Sequence, residues 1–295
     1  MSETRKSESV APFKGRSWES VRLLAHSGTG RVGLMLVTVL FLLALVSTVG
    51  LLPHDAYTQN AVISLQGPSL THWWGTDQFG RDVFARVAAG VANSAQIAVV
   101  AVTFAAILGS LWGVAAGFFR GVVDAGVSGV TNVLFSFPPL LLALCLASVF
   151  TRSWFTVAVA IAVVYIPIFI RVTRGPVLSL REVEYVKAAT ATGQRKWAII
   201  FTHLLPNISS IIIVQVTLSL SWAVLTEASL SFLGLGTPPP SPSLGSMIYE
   251  ARTLVNLAPW TMISPGVVIV ALVVGLNLLG DGLRDCLDPK NRGRK

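Results

Sequence analysis

The sequence predicts an all-α integral membrane protein with six transmembrane helices. Of its 295 residues, 53% are hydrophobic and only 12% are charged, and the charges avoid the long apolar runs. A soluble domain usually contains about 25% charged residues, and a helix needs about 20 apolar residues to cross a bilayer. Six runs approach or exceed that length, at residues 32–52, 95–118, 125–150, 153–170, 208–226 and 262–280.

The segments between these runs complete the predicted organisation. Polar residues fill 1–31, which is longer than the charged region of a signal peptide, so the first span is predicted to be retained. We expect an extracellular loop at 53–90 and a transmembrane core at 91–283 that contains a cytoplasmic loop at 171–207. A tail at 284–295 ends the chain. Within the core, Pro138, Pro139 and Pro167 are predicted to kink helices.

The distribution of cations predicts the orientation of the chain. If both termini lie on one side, 18 of the 22 lysines and arginines lie there and four lie on the other side. Because cytoplasmic loops are enriched in Lys and Arg, both termini are predicted to be cytoplasmic. Segment 171–196 carries eight charged residues, and its burial in the bilayer would cost on the order of 20 kcal/mol.

Several chemistries lack the residues that they require. No acidic or basic residue lies well inside a span, since Glu227 and Asp281 come only at span ends, and this argues against a self-sufficient secondary transporter. The dipeptide Gly-Lys is absent, which excludes a Walker A loop, so energy must come from a partner. The 53–90 loop could support an enzyme, but we predict no metal site or catalytic triad from the linear spacing of its residues His54, Asp55, His72, Asp77 and Asp82.

The most unusual segment is EYVKAATATGQRKWAIIFTHLLPN, at residues 184–207. Gly175-Pro176 predicts a helix start, residues 177–192 contain no helix breaker, and Gly193 predicts a stop. Glu184 and Lys187 are placed to pair at i, i+3. One helical face carries mostly small residues that would let another protein approach closely, namely Tyr185, Ala188, Ala189 and Thr192.

A second short helix is predicted after Gly193. It has an apolar stripe at helical spacing, which is too short to span and should lie at the membrane surface or under the bundle; the stripe is Trp197, Ile200, Phe201 and Leu204. Pro206 then marks a turn into the fifth span. The alternative is that 171–207 is a plain interfacial loop.

This segment resembles the EAA loop of binding-protein-dependent ABC importer permeases. The resemblance rests on Ala188-Ala189, on Gly193 after three further residues, and on Leu205-Pro206. Lys187 stands where that motif usually has glutamate, and His203 stands where it usually has an aliphatic residue.

Further motifs are similar to those of the dipeptide/oligopeptide/nickel subfamily. They are GTDQFGRD at 75–82, SFP at 136–138, EASLSFLGLG at 227–236, NLLGDGLRD at 277–285 and LDP at 287–289. Together they resemble the C-type permease subunit, although Leu244 replaces a tryptophan that is common before Gly-Ser-Met.

The resemblance implies the type I ABC importer permease fold and a set of partners. These are a second homologous permease of the B type, ABC ATPase subunits that carry ATP and Mg, an extracellular solute-binding protein and membrane lipid. The chain itself should need no cofactor, perform no catalysis and bind no nucleic acid. The residues expected to couple to the ATPase are Glu184, Tyr185, Lys187, Ala188, Ala189, Thr192, Gly193, Leu205 and Pro206.

Two further residue sets are candidates for function. The substrate pathway could include Asn132, Ser136, Phe137, Tyr165, Gln215, Ser219, Trp222 and Glu227, although polar residues also pack between helices. Glu227 could be a gate residue or an interfacial charge. Docking of the binding protein could use Asp77, Arg81, Asp82, Ser246 and Met247. The alternative is that Asp77, Arg81 and Asp82 form a local salt-bridged turn, which is favoured for Arg81–Asp82.

The substrate implied by the resemblance is a dipeptide or oligopeptide. A nickel complex or a haem-like ligand carried by the same machinery is the alternative. A membrane scaffold without transport activity is a further alternative, in which 171–207 serves only as an attachment point.

Overall fold

The structure, a computed structural model, describes residues 28–287. Most of the predicted N-terminal segment and most of the predicted tail lie outside these residues. The described chain is all-helical, with α1 Gly28–Thr48, α2 Val83–Phe119, α3 Gly121–Phe135, α4 Pro139–Val149, α5 Trp154–Leu180, α6 Glu184–Ala191, α7 Lys196–Ile199, α8 Leu205–Phe232, α9 Leu244–Ala251 and α10 Trp260–Leu287. A 3₁₀ turn covers Ala61–Ile63, and a π-helical turn covers Ile200–Leu204.

Five continuous helical stretches are long and apolar enough to cross a membrane. They are α1, α2, α5, the stretch Lys196–Phe232 and α10. Counted as one broken span, the pair α3–α4, which is bent by 92°, makes the sixth. The bend confirms the kink predicted at Pro138 and Pro139, because a residue before proline is driven out of the helical conformation, and Pro138 has an extended ψ of 130°.

Three predicted boundaries differ from the structure. The helix that contains the predicted second span begins at Val83, because the Asp82 side chain accepts a hydrogen bond from the Ala85 amide and caps the helix. Residues 83–90 are therefore helical and do not belong to the loop. The other two boundaries lie at the opposite end of the bundle.

No new helix begins at Gly175-Pro176. Instead α5 continues through Pro176 to Leu180 and buries Val177 completely against the end of α2. This packing keeps α5 helical through Gly175-Pro176, which would otherwise favour a break in the helix. The chain also makes no turn at Pro206, which lies in the first turn of α8, directly after the π turn. Proline is tolerated there because its missing N–H interrupts little of the hydrogen-bond ladder.

Helix α2 lies at the centre of the molecule and packs along α5, while α10 packs on α1 and α8. Close approach of α2 and α5 depends on glycines. A Cβ on Gly109 would come within 2.6 Å of the Ile166 carbonyl oxygen, and one on Gly113 would overlap the Thr173 hydroxyl.

We expect Gly113→Leu to destabilise the protein by about 1–3 kcal/mol, because a side chain cannot enter this packed crossing without moving a helix. The measurement is the melting temperature of the purified chain in detergent. Gly129→Leu in α3 is the matched control, since a Cβ there meets nothing within 4 Å. Equal melting temperatures for the two variants would contradict the role of Gly113.

Candidate functional site

The predicted coupling segment forms a short helix that is anchored along one face. Val186 of α6 is 1% exposed and packs in a cluster that we name the α6 cluster. This cluster joins α6 to α2, α5, α7, the π turn and α8, through Val114, Phe118, Val177, Val186, Ile199, Ile200, Leu204 and Ile208. Movement of α6 would therefore disturb a cluster to which three long helices, α2, α5 and α8, contribute side chains.

The opposite face of α6 is available to a partner. Tyr185, Ala188 and Thr192 are exposed, and Ala189 is half-buried. The helix stops as predicted, because Gly193 has a φ of +76°, a left-handed conformation that favours glycine. Its amide and that of Gln194 donate to carbonyl oxygens of the last turn at 3.1 Å.

Polar contacts hold α6 at its beginning. Lys187 pairs with Glu182 at 3.2 Å, and Arg120 reaches the same carboxylate at 2.9 Å. The predicted Glu184–Lys187 pair is wrong, since Lys187 reaches back to Glu182, and Glu184 stays exposed in the first turn of α6. The hydrogen bond from Lys187 lowers the pKa of the Glu182 carboxyl below its ordinary value, and the nearby positive charges of Lys187 and Arg120 act in the same direction.

The predicted apolar stripe divides into two halves. Ile200 and Leu204 are buried in the α6 cluster, whereas Trp197 and Phe201 are 58% and 59% exposed. Leu205 and Pro206 form the first turn of α8. Next to them, the Asn207 amide nitrogen donates to the Tyr185 hydroxyl at 3.2 Å and ties α8 to α6.

At the other end of the bundle, a largely buried network of four charges joins the α1–α2 loop, the beginning of α2 and α9. Arg81 bonds Asp77 at 2.6 Å and Glu250 of α9 at 2.9 Å. Arg86 lies within 3.5 Å of both carboxylates and is 2% exposed. The two cations and two anions balance, and they fasten the loop to α9.

The residues predicted to dock a binding protein are thus largely internal. Asp77, Arg81, Asp82 and Met247 are each at most 8% exposed. Ser246 is half-buried and forms a capping box with Ser243 at the start of α9. The alternative of a local salt-bridged turn is confirmed for Asp77 and Arg81, which pair at 2.6 Å. The Arg81–Asp82 pair is wrong, because Asp82 instead caps α2 and bonds His72 at 2.8 Å.

The candidate pathway residues fall into an exposed and an enclosed group. The exposed group contains Asn132, Ser136 and Phe137 at the α3–α4 bend, together with Trp222 of α8. In the enclosed group, the Tyr165 hydroxyl lies 3.2 Å from that of Thr226 and links α5 to α8.

The remaining enclosed candidates all belong to α8. Gln215 donates to the buried Ser219 hydroxyl at 3.1 Å. Glu227 is completely buried and accepts a hydrogen bond from Ser231 at 2.6 Å, with Ser94 and Ser243 beside it. Glu227 is therefore no exposed interfacial charge, and it joins α8 to α2 and the start of α9.

Sequence reasoning missed three residues that organise these sites. Arg86 is not among the candidate residues of the sequence analysis, and no local signal points to Glu250, which lies 169 residues from its partner Arg81. Asn277 of α10 accepts a hydrogen bond from the Ser221 hydroxyl at 3.0 Å. Its place at the beginning of the motif NLLGDGLRD, at residues 277–285, is the sequence feature that could have identified it.

Comparison with solved structures supports the fold. A chain of the methionine ABC transporter MetNI in an inward-facing conformation aligns with a TM-score of 0.57 at 20% sequence identity. The alignment covers 69% of this chain and 97% of that chain. At this identity the similarity concerns the fold alone, and it agrees with the predicted type I importer fold.

Comparison of sequences is more specific. Residues 107–293 match the family described as binding-protein-dependent transport system inner membrane component. The chain is 41% identical over 282 residues to the dipeptide transport system permease protein DppC of Alkalihalophilus pseudofirmus, covering 95% of this chain and 91% of that protein. It is 39% identical over 241 residues to the glutathione transport system permease protein GsiD of Pectobacterium atrosepticum, with coverages of 81% and 80%.

A third relative is the probable D,D-dipeptide transport system permease protein DdpC of Escherichia coli, which is 38% identical over 259 residues, with coverages of 88% and 87%. These matches extend over most of both chains. The chain belongs to the family of inner membrane components of binding-protein-dependent transport systems.

Proposed function

We propose that this chain is the permease subunit of an ATP-driven importer for short peptides. The observation that carries this proposal is the 41% identity to a dipeptide permease along 95% of the chain. Two further relatives are named as permeases of transport systems for glutathione and for D,D-dipeptides, which are also small peptides. No comparison favours a nickel complex, a haem-like ligand or a scaffold role.

In the proposed complex both termini and α6 are cytoplasmic, and the α1–α2 loop and α9 face outward. The chain pairs with a B-type permease and two ATPase domains that hold ATP and Mg, and a solute-binding protein delivers the peptide. Asn132, Ser136, Phe137 and Trp222 would line the path between the two permeases, which is supported by their exposure within or between apolar helices.

Coupling would begin at the exposed small face of α6, which fits a groove of the ATPase. ATP-driven closure of the ATPase domains would shift α6, and Val186 would transmit the shift through the α6 cluster to α2, α5 and α8. The continuous helical stretch from Lys196 to Phe232 would carry it across the membrane. Of the apolar stripe after Gly193, Ile200 and Leu204 belong to this route, whereas Trp197 and Phe201 are exposed and do not.

The test is ATP-dependent uptake by the complex in proteoliposomes. The tagged chain is first purified from its native membrane to recover its partners, and the binding protein is added to the vesicles. We expect a second permease and an ATPase to co-purify and labelled dipeptide to accumulate only with ATP. A chain that purifies as a homomer without an ATPase would contradict the proposal. Uptake of nickel or haem but not of dipeptide would contradict the proposed substrate.

A further inference from the structure

Three potential metal ligands from separate parts of the α1–α2 loop meet in space. His54 follows α1, His72 lies 18 residues later, and Asp82 caps the start of α2. One ligand atom from each residue lies within 4.8 Å of the others. The imidazole rings of His54 and His72 are 4.5 Å apart between centroids. Linear spacing gave no sign of this cluster.

Hydrogen bonds orient both imidazoles for coordination. His54 Nε2 donates to the Thr71 carbonyl oxygen at 2.8 Å, because a carbonyl can only accept. His72 Nδ1 lies 2.8 Å from an Asp82 carboxylate oxygen, so an ion bound by these two atoms would replace the proton between them and leave the His72 proton on Nε2. In neutral His54 the other ring nitrogen, Nδ1, carries a free lone pair, because Nε2 holds the proton. Metal-binding histidines typically donate their second ring nitrogen to a carboxylate or a backbone carbonyl in this way.

The surroundings suit a bound ion. The side chains of His72 and Asp82 are 14% and 4% exposed. His54 and Asp82 also line a cavity of about 260 Å³, together with Trp73 and Phe84, which leaves space for a water ligand. Tetrahedral Zn²⁺ with bonds of about 2.0–2.1 Å needs ligand atoms about 3.3 Å apart, so small side-chain rotations would close the site.

We propose that His54, His72 and Asp82 form a binding site for a divalent transition-metal ion, with water completing the coordination. Imidazole ligands favour Zn²⁺, Ni²⁺ and Cu²⁺, whereas Mg²⁺ and Ca²⁺ prefer oxygen ligands alone. A bound ion would clamp the end of α1 to the beginning of α2. This site is separate from peptide transport and does not rest on the proposed function.

The test is calorimetric titration of the purified full chain, without a polyhistidine tag, using Zn²⁺ with Mg²⁺ as the reference ion. We expect one Zn²⁺ per chain and no binding of Mg²⁺. His54→Gln should weaken Zn²⁺ binding by about 10-fold or more. This variant leaves the Asp82 cap of α2 in place, so the fold should survive, and a melting curve recorded without Zn²⁺ checks this.

His203→Gln is the matched control, because His203 lies beside Tyr185 at the other end of the bundle. It should bind Zn²⁺ as tightly as the wild type. The proposal is overturned if the wild type binds no Zn²⁺, if His54→Gln binds it with unchanged affinity, or if His203→Gln weakens binding equally.

Discussion

Replacement of Ala188 by arginine is expected to reduce ATP-dependent peptide uptake by the assembled transporter about 10-fold or more. Ala188 lies on the exposed face of α6, opposite the side that buries Val186. A guanidinium forced into a partner's groove without a counter-charge costs several kcal/mol, and each 1.4 kcal/mol is about a factor of ten in affinity. The chain itself should fold normally, because Ala188 is exposed and lies outside the buried α6 cluster.

The control places the same charge elsewhere at the same end of the bundle. Val122, at the beginning of α3, is 90% exposed, and Val122→Arg should retain uptake and ATPase activity close to those of the wild type. Both variants should have wild-type melting temperatures in detergent. Wild-type uptake by Ala188→Arg would contradict the assignment of α6 as the coupling helix.

Replacement of Arg86 by methionine is expected to destabilise the protein by about 3–5 kcal/mol, the usual cost of removing one partner from a buried ion network. Arg86 is almost completely buried and faces both Asp77 and Glu250. Methionine keeps much of the side-chain length, so the main loss is the charge. The carboxylates of Asp77 and Glu250 would then share Arg81 alone. The measurement is thermal unfolding of the purified chain.

Two further variants make this result specific. Glu182→Gln removes two ion pairs, those with Arg120 and Lys187, whose side chains are about half exposed. Exposed pairs contribute only about 0–1 kcal/mol each, so a much smaller change is expected. The double variant Arg86→Met/Glu250→Gln restores charge balance and should be less destabilised than the sum of the two single variants. Strict additivity, or a near-neutral Arg86→Met, would contradict the network.

The contrast between local and distant interactions explains what the sequence could predict. The six spans follow from hydropathy, because every backbone polar group in a bilayer must be satisfied within the helix. The bend of the third span follows from Pro138-Pro139, and the end of α6 follows from Gly193. Each of these features depends on a few neighbouring residues, so the sequence contains the whole signal.

Features that depend on distant residues could not be predicted in this way. Helix α5 passes through Pro176 because Val177 packs against α2, and this packing overrides the local start signal. The four-charge network needs Glu250, which is far from Arg81 in the sequence. Likewise, His54 and His72 come together only after the α1–α2 loop has folded. In each case the sequence shows which residue types are present but not which residues contact each other in the folded protein.

The most direct test of coupling through α6 is site-specific cross-linking from α6 to the ATPase. Cysteine is introduced at position 188 in a background in which Cys145 and Cys286 are replaced, and the assembled complex is treated with a short bifunctional reagent. If α6 couples to the ATPase, a cross-linked product should form between this chain and the ATPase subunit, and its yield should change when ATP is bound. Cysteine at position 122 should give no such product. Absence of the product at position 188, or equal yields at the two positions, would contradict coupling through α6.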